Sequence, residues 1–530
     1  MSDGAPNARW TRRGRGPPMD KNILDELDAR RAASRAMGTP AAIAQHKAAG
    51  KLTARERLDL LLDPGSFQEI GLLARSQHPD LNARTPADGL IAGSGTVDGR
   101  TVYVTSEDAT ILAGTRGRVA EAKTARVREL ALIHKKPFVA LMEAGAGRFQ
   151  ENGGAIAAAM GTRFREHFDL SGVVPQIAAL MGACFGGPSF TAAQSDFVTI
   201  VRETGFMGMS GPAVVRVGIG LETTAEEIGG AERVAVERGM ADHLGDTEAD
   251  SIAAIRTVLS YLPSSCEERP PSVAPVSAPV ETPEGQAEIV ALVSENHRRA
   301  YDMRVLVRLI VDGGVYTSYR ELYGPNLITA FARMSGESVG IIASNPMFMA
   351  GAMDEKAAIK ARRFIDICDA FHIPLVFLTD CPGFLVGPAV EQQRMVVLAS
   401  QLLNAVIGAS VPQVTVVLRK AIGLAYIALG GRATRPDGIA AWPTARFDVM
   451  GTAAGVELVH GKEIACAPEP AKRRAEIVQQ VEAKSSAYVA AEMALIDDVI
   501  HPAETRGFIL KTLQRARARI VPGFKRRIMP

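Results

Sequence analysis

The residues best suited to chemistry sit in two glycine-bearing turns. CFGGPSF at 184–190 and AIGLAYIALGG at 421–431 each follow an apolar run and lead into a helical pattern. Glycine lets a ligand approach the backbone, and the first N–H groups of a helix have no partner within it. Such a turn can hold an oxyanion, because fixed backbone donors meet the charge that develops on a carbonyl oxygen. The pattern equally suits a tight strand-to-helix connection with close packing, so a single turn leaves both readings open. Glu143 and Asp380 stand at strand ends in matching places. They fit either catalysis or caps on the helices that follow. Lys123 and Lys360 read as helix surface or as an interdomain ion pair.

Other chemistries lack their residues. Nine histidines show no H-E-x-x-H or comparable spacing, and five cysteines show no C-x-x-C pair, so no metal is expected. A serine nucleophile in G-x-S-x-G is absent. The glycines of MEAGAGRFQENGG lack a following G-K-[ST], so the sequence does not indicate ATP use. A net charge of +2 gives no field that argues for nucleic acid or a membrane surface. No apolar run approaches the roughly 20 residues of a membrane span, and no apolar signal core opens the chain. The expectation is a cytoplasmic protein with reduced thiols, Met19 being an alternative start. The arginine-rich ends, ARWTRRGRG and FKRRIMP, read as solvated tails.

The elements that must position the turns repeat. TVYVTS, PFVALME and the VPQIAAL run alternate with helical patterns, and SVGIIAS, PLVFLTD and VPQVTVVL repeat that order. Alternation of this kind implies an α/β architecture with mainly parallel strands. Pro175 and Pro412 lie 237 residues apart, and the same offset relates Leu90 to Leu327, Gly114 to Gly351, Lys123 to Lys360 and Gly186 to Gly423. The chain is a tandem duplication, each copy long enough to bury its own core. A proline-rich linker at 263–285 divides a first half, 25–262, from a second, 286–530, after a flexible tail at 1–24. A cleft between like domains, or between copies in an oligomer, is a natural ligand site.

KLTARERLDLLLDPGSFQEIG (51–71), DGLIAGSGTVDGRTVYV (88–104), SGVVPQIAALMGACFGG (171–187), EEIGGAE (226–232), NPMFMAGAMD (345–354), FIDICDAFHIPLVFLTDCPGF (364–384), AWPTARFDVMG (441–451) and IDDVIHPAETR (496–506) together carry a resemblance. They resemble the carboxyltransferase β subunits of biotin-dependent acyl-CoA carboxylases, collinearly over residues 25 to 515. The resemblance implies two crotonase-like (ClpP/crotonase) domains, the first binding acyl-CoA and the second carboxybiotin. It implies a homohexamer, a trimer of dimers whose sites lie at the dimer interface, with biotin carboxylase and biotin carboxyl carrier partners. This chain has no A-M-K-M biotinylation motif, so the biotin belongs to another polypeptide.

Carried over by position, Gly186 and Gly187 would serve the thioester, and Gly423, Leu424, Ala425 and Tyr426 the biotin. Gly145, Ala146, Gly147 and Ile427 would line the acyl group. The chain departs from the family where G-G-A becomes Gly186-Gly187-Pro188 and Gly423-Leu424-Ala425. Proline has no N–H, which shifts the first hole onto Gly186 and Gly187. Ile427 stands where members accepting short acyl chains often carry aspartate, which favours a larger or branched acyl group. The reverse reaction, a biotin-dependent decarboxylase, and a non-catalytic CoA-binding scaffold are the rival readings. A biotin-independent hydratase or isomerase would need Glu143 and Glu151 together beside the Gly186 turn.

Overall fold

The computed structural model describes residues 19–530. In the first half the strands are β1 (Gln68–Glu69), β2 (Leu90–Val97), β3 (Arg100–Glu107), β4 (Phe138–Met142), β5 (Gln176–Leu180), β6 (Ala183–Phe185), β7 (Phe197–Val201), β8 (Phe206–Gly208) and β9 (His243–Gly245). They form a sheet of order β1-β2-β3-β4-β5-β7-β9, with β6 and β8 a separate parallel pair. In the second half they are β10 (Tyr316–Ser318), β11 (Leu327–Met334), β12 (Glu337–Ser344), β13 (Leu375–Cys381), β14 (Gln413–Ile422), β15 (Gly438–Ala441), β16 (Arg446–Asp448) and β17 (Asp498–Val499). The order is β10-β11-β12-β13-β14-β15-β17, with β16 parallel to the end of β14. Each sheet is antiparallel up to its β2–β3 or β11–β12 hairpin and parallel beyond it.

The duplication is written into the backbone. β2 and β11, and likewise β3 and β12, begin and end 237 residues apart. The hairpins turn at Asp98-Gly99 and Ser335-Gly336, where all four φ values are positive, as a two-residue loop matched to strand twist requires. Ala113 (φ 53°) and Ala350 (φ 54°) repeat one left-handed kink.

Successive side chains of a strand point to opposite faces, and the buried strands obey this on both faces. In β4, Phe138, Ala140 and Met142 enter a cluster confined to the first half, whereas Val139 and Leu141 enter a second cluster. In β13, Val376 and Leu378 face the second half's own cluster, while Leu375 and Phe377 enter the same cluster as Val139. A core for each half was the expectation; the structure adds a third apolar layer shared by both. Phe331 lies at its centre, stacked on Tyr261 of the first half at 5.8 Å and tilted against Phe364 at 4.9 Å.

Several expectations about the connecting segments are corrected. Of the tail expected over 1–24, the part before Met19 lies outside the described residues, and Asp20 caps a helix that already runs over Lys21–Arg35. The 263–285 segment is anchored: Cys266 N donates to Val173 O, Val273 N to Gly336 O, and a helix capped by Thr282 starts at Pro283. The C-terminal FKRRIMP is a strap and no solvated tail. Arg527 donates to the carbonyls of Phe168, Asp169 and Ser171 in the first half, and Arg526 pairs with Asp366 and Asp369 in the second.

The lysine pair is also corrected, from surface to core. Lys123 on helix Arg118–His134 donates to Ala87 O at 2.9 Å, and Lys360 on helix Glu355–Ala370 donates to Gly324 O at 2.9 Å. Those two acceptors are themselves equivalent residues, both with positive φ, so each lysine pins the turn that leads into its sheet. Burial drives the Lys123 amine down to about 8 and the Lys360 amine to about 7. Between about 7 and its ordinary 10.5 the unfolded chain binds the Lys360 proton and the folded chain does not. The stability that the neutral amine contributes is therefore complete above 10.5 and lost as pH falls through 7. Lys360→Met leaves two carbonyls unpaired, at about 1 to 3 kcal/mol each. Denaturation of both proteins should show a destabilised variant, with the gap widening as pH rises from about 7 to about 10.

Candidate functional site

β5 passes through β6 into Gly186, whose φ of 71° and ψ of −131° suit only glycine, and helix Gly187–Gln194 follows. The Gly186 N–H donates to Gly208 O at 3.0 Å, and the Gly186 carbonyl accepts from Ser189 N at 3.0 Å. Gly186 thus shapes the turn and has no donor to spare, a correction to its expected part as a donor. Gly187 is different. Its N–H has no acceptor among the described residues, no side chain caps the helix, and Pro188 brings no N–H of its own.

The second turn repeats this geometry. β14 runs into Gly423 (φ 62°), and helix Gly423–Ala428 begins without a side-chain cap. Leu424 is 64% exposed, whereas Ala425 is buried in the shared apolar layer. Tyr426 accepts from Arg432 N at 3.2 Å and packs edge-on against Phe447, which anchors the helix from behind. Ile427 lies half-buried on the same helix.

A second backbone donor stands beside each turn. After β4 the chain passes Glu143, Ala144, Gly145 and Ala146 to Gly147, which forms a parallel bridge with Arg116. Arg116 N donates to Ala146 O and Arg148 N to Arg116 O, so the N–H of Gly147 points away from Arg116, toward the flank that carries β5. In the second half Met353 bridges Phe384 with the same bonds, Met353 N to Gly383 O and Leu385 N to Met353 O. Gly147 and Phe384 are 237 residues apart, as are Gly187 and Leu424. Phe384 was not expected as a site residue; the offset that exposed the duplication also finds it.

The carboxylates are scaffold, and neither caps a helix. Glu143 accepts from Lys51 at 2.6 Å and Arg57 at 2.5 Å, and Arg57 also binds Glu248 at 2.7 Å. Burial alone would raise the Glu143 carboxyl, but Arg57 and Lys51 outweigh it and hold it below the usual carboxylate range. Asp380 is buried against Arg419 at 2.8 Å and Lys420 at 3.1 Å. Glu151 is engaged by Ser76, Arg148 and the N–H of Arg118. A hydratase that needs Glu143 and Glu151 free beside the Gly186 turn is not what this arrangement provides.

A cavity of about 250 Å³ opens next to Gly147, between the first turns of helix Arg118–His134 and the segment from Asn152 to Arg163. Arg163 reaches from it toward the glycine turn: a Cβ on Gly187 would lie 2.8 Å from Arg163 Nη1. Nothing in the spacing of Arg163 marks it in the sequence.

Two like sheets, each ending in a turn with unpaired backbone donors and with its nearest carboxylate consumed in ion pairs, define a duplicated crotonase-like carboxyltransferase. Residues 45–527 match the family model for the carboxyl transferase domain. The chain is 36% identical over 505 residues to the propionyl-CoA carboxylase beta chain of Roseobacter denitrificans, covering 94% of this chain and 98% of that one. It is 36% identical over 493 residues to the methylmalonyl-CoA decarboxylase subunit alpha of Veillonella parvula, covering 92% and 95%. The crystal structure of transcarboxylase 12S with methylmalonyl-coenzyme A and methylmalonic acid bound superposes with a TM-score of 0.89 at 35% identity, covering 98% of each chain. This chain belongs to the carboxyl transferase family, among the β subunits of biotin-dependent acyl-CoA carboxylases.

Arg57 ties the N-terminal helices to the end of β4 through two carboxylates. Arg57→Met strands both, at a cost of about 3 to 5 kcal/mol. The stability that Glu143 contributes is present above its ordinary 4.5 and lost as pH falls through its lower folded value. Denaturation curves should therefore show the largest deficit at neutral pH and a narrowing one in acid.

Proposed function

We propose that this chain moves a carboxyl group between carboxybiotin, borne by a separate carrier polypeptide, and the α or vinylogous carbon of an acyl-CoA. The observation that carries the reading is the recurrence of a pair of unpaired backbone donors, Gly147 with Gly187 and Phe384 with Leu424. The first pair holds the thioester oxygen as negative charge builds there, and the second holds the ureido oxygen of biotin. Ala425 and Tyr426 back the second turn, while Gly145, Ala146 and Ile427 border the space for substrate. Biotin, once bound, supplies the carboxyl group and then the base for the acyl α-proton. That chemistry fits a site whose own carboxylates are locked in ion pairs and whose donors are neutral amides. The chain's part is to hold both oxygens and to orient the two reactants.

The acyl group itself belongs to this proposal as well. Propionyl-CoA and methylmalonyl-CoA relatives stand at the same identity, so the class is a short acyl-CoA. The decarboxylase direction uses the same two donor pairs in reverse, and the Veillonella relative supports it as far as the Roseobacter relative supports carboxylation.

We place the second half of one subunit against the first half of a partner, in a hexamer built as a trimer of dimers. The transcarboxylase 12S structure is described as a hexamer assembly. Apolar side chains left bare near the turns, Val217 at 84% and Val459 at 73% exposure, suit such an interface. Biotin carboxylase and biotin carboxyl carrier would be the further partners. Five unpaired cysteines support a reducing cytoplasm, and no helix among the described residues is long and apolar enough to cross a membrane.

Two proline substitutions separate the donor pairs. Gly187→Pro deletes the thioester donor and should lower kcat for transfer about 100- to 1000-fold with a small change in KM. It should spare the slow decarboxylation of carboxybiotin that runs without acyl-CoA. Leu424→Pro should slow both. Assays with carboxylated carrier and propionyl-CoA distinguish these outcomes, and unchanged transfer in both variants overturns the assignment. A wild-type protein that binds acyl-CoA but transfers carboxyl in neither direction is a scaffold. Light scattering that finds a monomer overturns the hexamer.

A further inference from the structure

The thioester cavity carries more positive charge than its own side chains satisfy. Arg116 is 6% exposed, and its Nε and Nη1 have no hydrogen-bond partner; the Nη1 of Arg163, also shielded from solvent, has none either. The carboxylate facing them is Glu121, which accepts from Arg163 Nη2 at 2.6 Å and lies 3.5 Å from Arg116 Nη1. Glu107 contacts Arg116 through Nη2 and uses its other oxygen on the N–H of Glu143 at 2.8 Å. Three buried guanidinium N–H sites are left over around one cavity. Burial brings the Arg116 guanidinium down to about 10, so it remains a cation at neutral pH.

A buried cation with idle donors is costly unless an anion meets it. The planar fork of arginine suits a carboxylate. The opposite wall is apolar, from Ile156 and Met160. A ligand that satisfies both walls has a short apolar stem and a charged end, and it reaches the cavity from Gly147 and Gly187.

We infer that Arg163 and Arg116 select an acyl-CoA whose acyl group bears a carboxylate of its own. This inference rests on the thioester reading of the Gly187 turn. The carboxylate has two sources, the α-carboxyl that the reaction installs or removes, and a carboxyl already present at the far end of the acyl chain.

Calorimetry with matched pairs tests it. Methylmalonyl-CoA against propionyl-CoA probes the α-carboxylate, and glutaryl-CoA against valeryl-CoA probes the distal one. Each pair holds the CoA moiety constant, so phosphate contacts cancel. In the wild-type hexamer at least one charged member should bind roughly 10- to 100-fold more tightly than its uncharged partner, the range of a hydrogen bond to a charged group. Arg163→Gln should abolish the preference while leaving the uncharged member's Kd within about threefold, and Arg163→Lys should restore part of it. Equal binding within both pairs in the wild type overturns the inference and leaves the thioester reading intact. Equal weakening of all four esters by Arg163→Gln also overturns it, in favour of a contact to CoA phosphate. If no ester binds, the thioester reading fails and this inference with it.

Discussion

One apolar layer squeezed between two sheets fixes everything else in this molecule. Val139 and Leu141 from β4 meet Leu375 and Phe377 from β13 within one cluster, and Phe331, Tyr261 and Phe364 stack through its middle. Close packing of this kind leaves little freedom to slide one sheet over the other. The turns at Gly187 and Leu424 hang from strands β5 and β14 of those sheets, and Ala425 is itself part of the layer. The position of one turn relative to its counterpart in the same chain is thereby set by hydrocarbon contact. The ends of the chain reinforce it, with the Arg526-Arg527 strap binding carbonyls and carboxylates on both sides.

Ion pairs take over where the strands leave the layer. Glu143 and Asp380 close β4 and β13, and each is neutralised by basic side chains. A Cβ on Gly182 would strike Glu143 Cγ at 2.4 Å, so the Glu143 cluster presses directly on the stretch that leads to Gly187. The buried charge here contributes more to geometry than to net stability, since ion pairs in a dry interior gain little over apolar packing yet are expensive to break. Lys123 and Lys360 serve the hairpin end in the same way through carbonyls.

Much of the fold was legible because it was written twice. The constant offset of 237 survives only where no insertion intervened, which is the strand and turn framework. The parallel strands read correctly from their apolar runs. The antiparallel β2–β3 and β11–β12 hairpins were not read, since Ala92, Gly93 and Gly95 leave β2 without a β-branched pattern. The lysines were misread because a charged residue on a helix is usually solvated, and only a carbonyl turn far away in sequence makes burial tolerable. The same holds for Glu143: its partners Lys51 and Arg57 lie some ninety residues upstream, beyond any local pattern. The linker looked free because proline excludes helix, but extended backbone can still be pinned by neighbours such as Gly336. Arg163 was invisible for a simpler reason, as arginine on an amphipathic helix carries no spacing signature.

Backbone donors explain how two copies could diverge without losing a common task. A hole made of N–H groups depends on φ and ψ, so Leu424 can replace Gly187 in the counterpart turn as long as the turn keeps its path. Proline is the exception, and the chain places it at 188, where the donor one residue earlier is still available. Side chains around the conserved path are then free to specialise. In the first half they gather guanidinium groups from Arg116 and Arg163 against a closed cavity. In the second they leave Leu424 bare and back the turn with Tyr426 and Phe447, an apolar frame suited to a neutral ring. The electrostatic contrast between two otherwise equivalent turns separates a charged ligand from an uncharged one, so one duplicated scaffold can receive two different reactants without confusing them.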